Sequence, residues 1–167
     1  MTETSTTTRW LTEHEQEAWR AYQRLRHLLD ARLRADLVRT SGMSDADYAV
    51  LVHLSEAPDE RLRARDLAGT LLWEKSRLSH QISRMEKRGM VERADCPTDA
   101  RGAFIVLTDQ GREAITAAAP LHVDAVRRYL IDGLSEAQLD ALIEIAAVAD
   151  ARLAEDPTCP TEDPCDG

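Results

Sequence analysis

At 167 residues, with 43% hydrophobic and 4% aromatic content, the chain fits one compact domain with an aliphatic, helix-forming core. A formal net charge of −9 opposes indiscriminate attraction to polyanions, and no apolar run approaches the length of a membrane span. The polar start from Met1 to Arg9 lacks a secretory segment, and three cysteines without zinc-ligand spacing point to a reducing cytoplasm and to no metal or cofactor.

Residues 1–9 are rich in Thr, Ser and Glu and are expected to be disordered. From about Trp10 to Arg39, Trp19, Tyr22, Leu25, Leu29, Leu33 and Leu37 recur at three- and four-residue steps, which predicts one long helix. Its apolar surface exceeds what a small domain needs to cover its core, so part of it is expected to meet a second copy. Gly42 breaks the pattern, and Ser44 with Asp47 forms a variant capping box for a second helix. That helix buries Tyr48, Leu51, Val52 and Leu54 and stops at Pro58, with His53 beside the stripe. Leu62 to Leu72 reads as a short third helix that turns Leu67, Ala68 and Leu71 inward. Trp73 follows in or beside a turn and is read as packing.

The most informative stretch runs from Glu74 to Thr108. Leu78, Ile82 and Met85 share one face of a helix, while Arg77, Ser79, His80, Gln81, Ser83, Arg84 and Lys87 cover the rest. Such side chains bond base edges or neutralise phosphates. Gly89, preceded by Lys87 and Arg88, suits a left-handed helix stop. Met90–Arg93 and Ala103–Leu107 then read as two strands of a hairpin, with residues 95–102 as a polar loop carrying Arg101 at its tip. An extended arginine fits a minor groove, where negative potential is focused. Asp99 would repel phosphate, so its expected role is to pair with an arginine such as Arg101 and fix its direction.

Past the hairpin, Thr108 caps a helix expected through about Ile131, with a kink at Pro120. Ser135 and Gln138 form another capping box, and Leu139, Leu142, Ile143, Ala146 and Leu153 stripe a last helix. The tail 156–167, with prolines at 157, 160 and 164, is expected to be disordered.

A helix running into a hairpin with Asp99-Ala100-Arg101, then a strand ending Leu107-Thr108-Asp109-Gln110-Gly111, resembles the multiple-antibiotic-resistance regulator (MarR) family. The segment Arg84-Met85-Glu86-Lys87-Arg88-Gly89-Met90-Val91 is similar to that family's junction between recognition helix and wing. The resemblance implies a mainly α fold with a small β-wing, a winged helix-turn-helix flanked by N- and C-terminal dimerisation helices. Residues 10–155 would form this single domain, with 10–39 and 109–155 in the dimerisation helices and 44–108 in the winged lobe. It further implies a homodimeric regulator of transcription that binds double-stranded DNA, commonly a repressor relieved by a small-molecule effector or by oxidation.

The charge distribution agrees. Residues 61–101 carry ten basic and six acidic side chains, whereas 41–60 carry none and five, and 102–167 carry four and thirteen. Expected DNA contacts are Ser76, Arg77, Ser79, His80, Gln81 and Arg84 in the major groove, Arg63 and Arg65 on phosphate, and Arg101, steered by Asp99, in the minor groove. A two-fold dimer implies an inverted-repeat target. Trp19, Tyr22 and His53 are the expected lining of an effector pocket, although each also has a core-packing role open to it. No nucleophile–base pair or phosphate-binding loop suggests an enzyme. Two alternatives remain: a winged-helix protein–protein adaptor, which would expose apolar anchors where this chain places Arg101 and polar groups, and a thiol-based redox regulator. Relatives that sense hydroperoxides use a cysteine near the start of the first helix; here Cys96 lies in the wing, and Cys159 and Cys165 lie in the tail.

Overall fold

The computed structural model of the chain describes residues 8–95 and 103–155. The expectations for the extreme termini, for Asp99 and Arg101 at the wing tip, and for Cys96, Cys159 and Cys165 lie outside these residues. Six helices and a three-stranded antiparallel sheet are described: α1 (Glu13–Ser41), α2 (Asp45–Glu56), β1 (Arg61–Arg63), α3 (Ala64–Thr70), α4 (Lys75–Lys87), β2 (Val91–Asp95), β3 (Ala103–Leu107), α5 (Asp109–Tyr129) and α6 (Glu136–Ala154). This is the mainly α, winged helix-turn-helix architecture expected from the sequence.

Local chemistry sets the boundaries. Thr12, Ser44 and Ser135 each close a reciprocal capping box, with Glu15, Asp47 and Gln138 respectively, so orphan amides at three helix starts are satisfied. Helix α1 therefore begins at Glu13 and not near Trp10, which is 81% exposed. Gly42 ends α1 in the left-handed region at φ 67° and sends the chain straight into α2. Helix α5 runs unbroken through Pro120 and ends at Tyr129, short of Ile131. The carbonyl left without its donor there belongs to Thr116, an exposed residue.

The helix expected over Leu62–Leu72 is shorter, because its first residues form a strand. Arg61, Leu62 and Arg63 pair with Val106, Ile105 and Phe104 of β3, giving the sheet order β1-β3-β2. The alternation Arg-Leu-Arg turns Leu62 toward the core and leaves the two arginines on the other face. Strand β2 begins at Val91, one residue later than expected, and pairs with β3 from Val91↔Leu107 to Asp95↔Ala103.

The core joins the lobe to the lower part of α1 and to α5. Val50, Leu51 and Leu54 of α2 meet Leu67 of α3, Leu78, Ile82 and Met85 of α4, Ile105 and Leu107 of β3, and Leu37 and Ile115. Removing one such leucine side chain costs roughly 2–5 kcal/mol. Asp36, buried near the end of α1, locks α1 to α5. It accepts from Arg39 at 2.6 Å, Arg128 at 3.1 Å and the Tyr129 hydroxyl at 2.8 Å. The bonds from Arg39 and then Tyr129, with the charges of Arg39 and Arg128, hold its carboxyl below the ordinary carboxylate value against the effect of burial.

At the joint between wing and α5, Thr108 works twice. Its hydroxyl donates to the Gly89 carbonyl at 2.6 Å and accepts from the Gly111 amide at 3.0 Å, capping α5. Gly111 follows one helical turn later because nothing larger fits: a Cβ there would lie 2.0 Å from the Met90 carbonyl oxygen. This gives the sequence Leu-Thr-x-x-Gly its physical sense as core residue, cap and close-contact point. We expect Gly111→Ala to destabilise the fold by about 1–3 kcal/mol or more through overpacking. Urea unfolding measures it, and an unchanged midpoint would contradict this packing.

Candidate nucleic-acid interface

Helix α4 is the most strongly amphipathic part of the lobe. Leu78, Ile82 and Met85 are buried, while Ser76, Arg77, Ser79, His80, Arg84 and Lys87 are exposed. Ser76, His80 and Arg84 stand at i, i+4 and i+8 and so form one outward stripe, with Arg77 at its edge. Helix α3 precedes α4 through a tight turn in which Leu72 adopts φ 51° and the Trp73 amide donates to the Ala68 carbonyl at 2.9 Å. Trp73 packs on the core, as read from the sequence, and also carries the Arg77 guanidinium 4.3 Å above its ring. One exposed cation of α4 is thus partly ordered.

Two expected contacts sit differently. Gln81 was expected to face base edges, but it is only 2% exposed. It lies about 140° around the helix from Ser76 and belongs to the inward half. Arg63 stands at the N-cap of α3, at the start of the helix as expected, but it is half-buried. It also ends β1, its guanidinium 5.7 Å from the centre of the Phe104 ring, with Arg61 5.2 Å from the same ring. Arg65 is exposed beside Asp66, 3.9 Å away.

Beneath the outward stripe lies a polar node that sequence reading missed. Asp47, 3% exposed, accepts from Gln81 Nε2 at 2.6 Å and from both terminal nitrogens of Arg88, one of them at 3.1 Å. It also closes the cap on Ser44 at 2.8 Å from the hydroxyl. Burial pushes the Asp47 carboxyl up, but bonds from Arg88 and Ser44, with the Arg88 charge, outweigh it and leave the group below its ordinary value. The first turn of α2 is thereby pinned to the middle and the end of α4. In sequence, Asp47 showed only its capping role, because a partner 41 residues away leaves no local pattern. Arg93 of β2 completes the mounting: it pairs with Glu86 at 2.9 Å and reaches the Ser79 carbonyl and Ser83 hydroxyl at 3.4 Å.

Two grooves flank α1. One, of about 310 Å³, is lined by Asp30, Leu33, Arg34, Leu37, Asp45, Tyr48 and His122. The Tyr48 and His122 rings lie 4.5 Å apart, and burial lowers the His122 pKa and raises that of Tyr48. The other, of about 580 Å³, includes Tyr22, Leu25, Leu28 and Tyr129. Trp19 and Tyr22 neighbour each other at 5.7 Å and are both about half exposed, but His53 sits half-buried on α2 and lines neither groove. Among the described residues, no group of three or more His, Cys, Asp or Glu is placed to hold a metal, and no helix is long and apolar enough to cross a membrane.

Because Asp47 is held below the ordinary carboxylate value, its stabilising effect is present above that value and is lost as pH falls through its folded-state pKa. We expect Asp47→Ala to cost near the low end of roughly 3–5 kcal/mol, since Arg88 keeps 41% of its side chain exposed. The variant should also lose part of the wild type's acid destabilisation below about pH 4. Denaturant melts across pH test both, and identical pH profiles would contradict the node.

The fold and sequence have clear relatives. The family model described as "MarR family" matches residues 41–102. The crystal structure of Sco3205, a MarR family transcriptional regulator from Streptomyces coelicolor in complex with DNA, is 43% identical with a TM-score of 0.86, over 93% of this chain and 97% of that one. CouR from Rhodococcus jostii RHA1, bound to p-coumaroyl-CoA, is 25% identical with a TM-score of 0.67, over 78% of this chain and 89% of that one. The transcriptional regulator HosA of Escherichia coli O111:H- is 26% identical over 126 residues, 75% of this chain and 91% of its own. Taken with the winged helix-turn-helix and the polar face of α4, these likenesses establish that the chain belongs to the MarR family of DNA-binding transcriptional regulators.

Proposed function

We propose that the chain acts as a homodimeric, ligand-responsive repressor that reads an inverted repeat with α4. The observation that carries this reading is the outward stripe Ser76, Arg77, His80 and Arg84, mounted on a buried apolar back and braced by Asp47 and Arg93. Sco3205 supports it as a close structural likeness in complex with DNA. In this reading Ser79 and Arg65 flank the major-groove contacts, Arg63 supports the wing sheet, and Arg101 with Asp99 forms the minor-groove arm.

Dimerisation follows from surface chemistry. Helix α6 buries none of its residues, yet it carries Leu142, Ile143, Ile145, Val148 and Leu153, with Ile143 68% exposed. The first part of α1 adds Trp19, Tyr22, Leu25 and Leu28, and the segment before it adds Trp10 and Leu11. Exposed apolar side chains in this number suit an interface, and a second copy presents the matching residues. Two-fold pairing would set two α4 helices about one DNA turn apart. A small molecule in a groove beside α1 would act by favouring a spacing unsuited to DNA; the structure of CouR bound to p-coumaroyl-CoA supports small-molecule binding.

Selection of bound fragments from genomic DNA tests the reading. The expected result is enrichment of an inverted repeat with half-site centres about 10 base pairs apart. Recovery without any shared sequence would sink it. Introducing Ile143→Glu with Ile145→Glu should convert the dimer to monomer in sedimentation and weaken binding by orders of magnitude, and an unaltered dimer would remove α6 from the interface.

A further inference from the structure

Gln81 is bonded at both ends of its amide. Nε2 donates to Asp47 Oδ1 at 2.6 Å, and Oε1 accepts from the guanidinium of Arg84. A carboxylate offers only acceptors, so it dictates which end of the amide faces it. The amide oxygen must then point the other way, toward Arg84. Asp47 is fixed in turn by Arg88 and by its own cap with Ser44. Arg84 leaves the protein surface on the same stripe as Ser76 and His80, with one terminal nitrogen engaged by Gln81. Arg84 itself is exposed, so the rest of its guanidinium is open to a partner.

We propose that Gln81 is a positioning residue for DNA readout: anchored by Asp47, it aims the Arg84 guanidinium at a guanine in each half-site. Paired donors on an arginine match O6 and N7 of guanine in the major groove. A long side chain held in place before binding loses less freedom on contact, so the tether raises affinity without touching DNA itself. The inference rests on α4 being the reading helix and adds the origin of one part of its specificity.

The test uses the full chain, the duplex recovered by genomic selection and a scrambled duplex of equal length, with binding read by fluorescence anisotropy. Gln81→Met keeps side-chain length and burial but removes both bonds. Affinity for the selected duplex should fall about tenfold, while affinity for the scrambled duplex stays within about twofold because the Arg84 charge remains. In an Arg84→Ala background, Gln81→Met should have no further effect on the selected duplex. Equal losses in both backgrounds would assign Gln81 to general structure and overturn the inference, as would equal losses on both duplexes. Arg84→Lys, at an exposed site where folding is not at risk, should also lose the preference for the selected duplex while keeping its charge. A lysine variant that binds as the wild type does would overturn the inference too. A wild type with no preference between the duplexes would instead sink the DNA-reading assignment on which the inference stands.

Discussion

A carboxylate almost cut off from water must find donors or give up its charge, and Asp47 finds them on the helix that faces outward. Its partners are Ser44 at the start of α2, Gln81 in the middle of α4 and Arg88 at the end of α4. Apolar packing through Leu78, Ile82 and Met85 fixes how deep α4 sits, but such contacts tolerate small rotations about the helix axis. Directional bonds to Asp47 do not. The orientation of the outward stripe thus depends on a buried acid contributed by a different helix, together with Arg93 of β2.

A second constraint operates where the wing returns to the helices. Thr108, Gly89 and Gly111 bring the end of β3, the turn after α4 and the start of α5 into one corner. Asp36 then ties α5 to α1 through Arg128 and Tyr129. Tilting α1 or α5 therefore pulls on the corner that holds the wing and on the α1–α2 turn just before Ser44. In the proposed dimer, this continuity would carry a change of subunit spacing to the reading helices.

Much of this was legible in the sequence. The capping residues Ser44, Thr108 and Ser135 announce their helices through local chemistry, and the apolar triplet of α4 declares its inward face. The errors arose where tertiary partners decide. Leu62 reads equally well as the start of a helix or the middle of a short strand, and pairing with Ile105 chooses the strand. Gln81 is polar and lies at the margin of the apolar arc, so composition places it outside; only Asp47, 34 residues away, makes burial affordable for it. The exposed stretch of α1 was foreseen as surplus apolar surface, whereas His53 offered no spacing signal that could separate a pocket residue from a packed one.

In the proposed dimer, two α4 helices held by this frame would read the major groove on a two-fold site. Dimethyl sulfate protection at guanine N7 on the selected duplex tests this most directly, because that atom lies in the major groove. The expected result is two protected guanine clusters about 10 base pairs apart, symmetric about the centre of the site. Guanines that stay fully reactive in a saturated complex, or protection confined to one half, would contradict it.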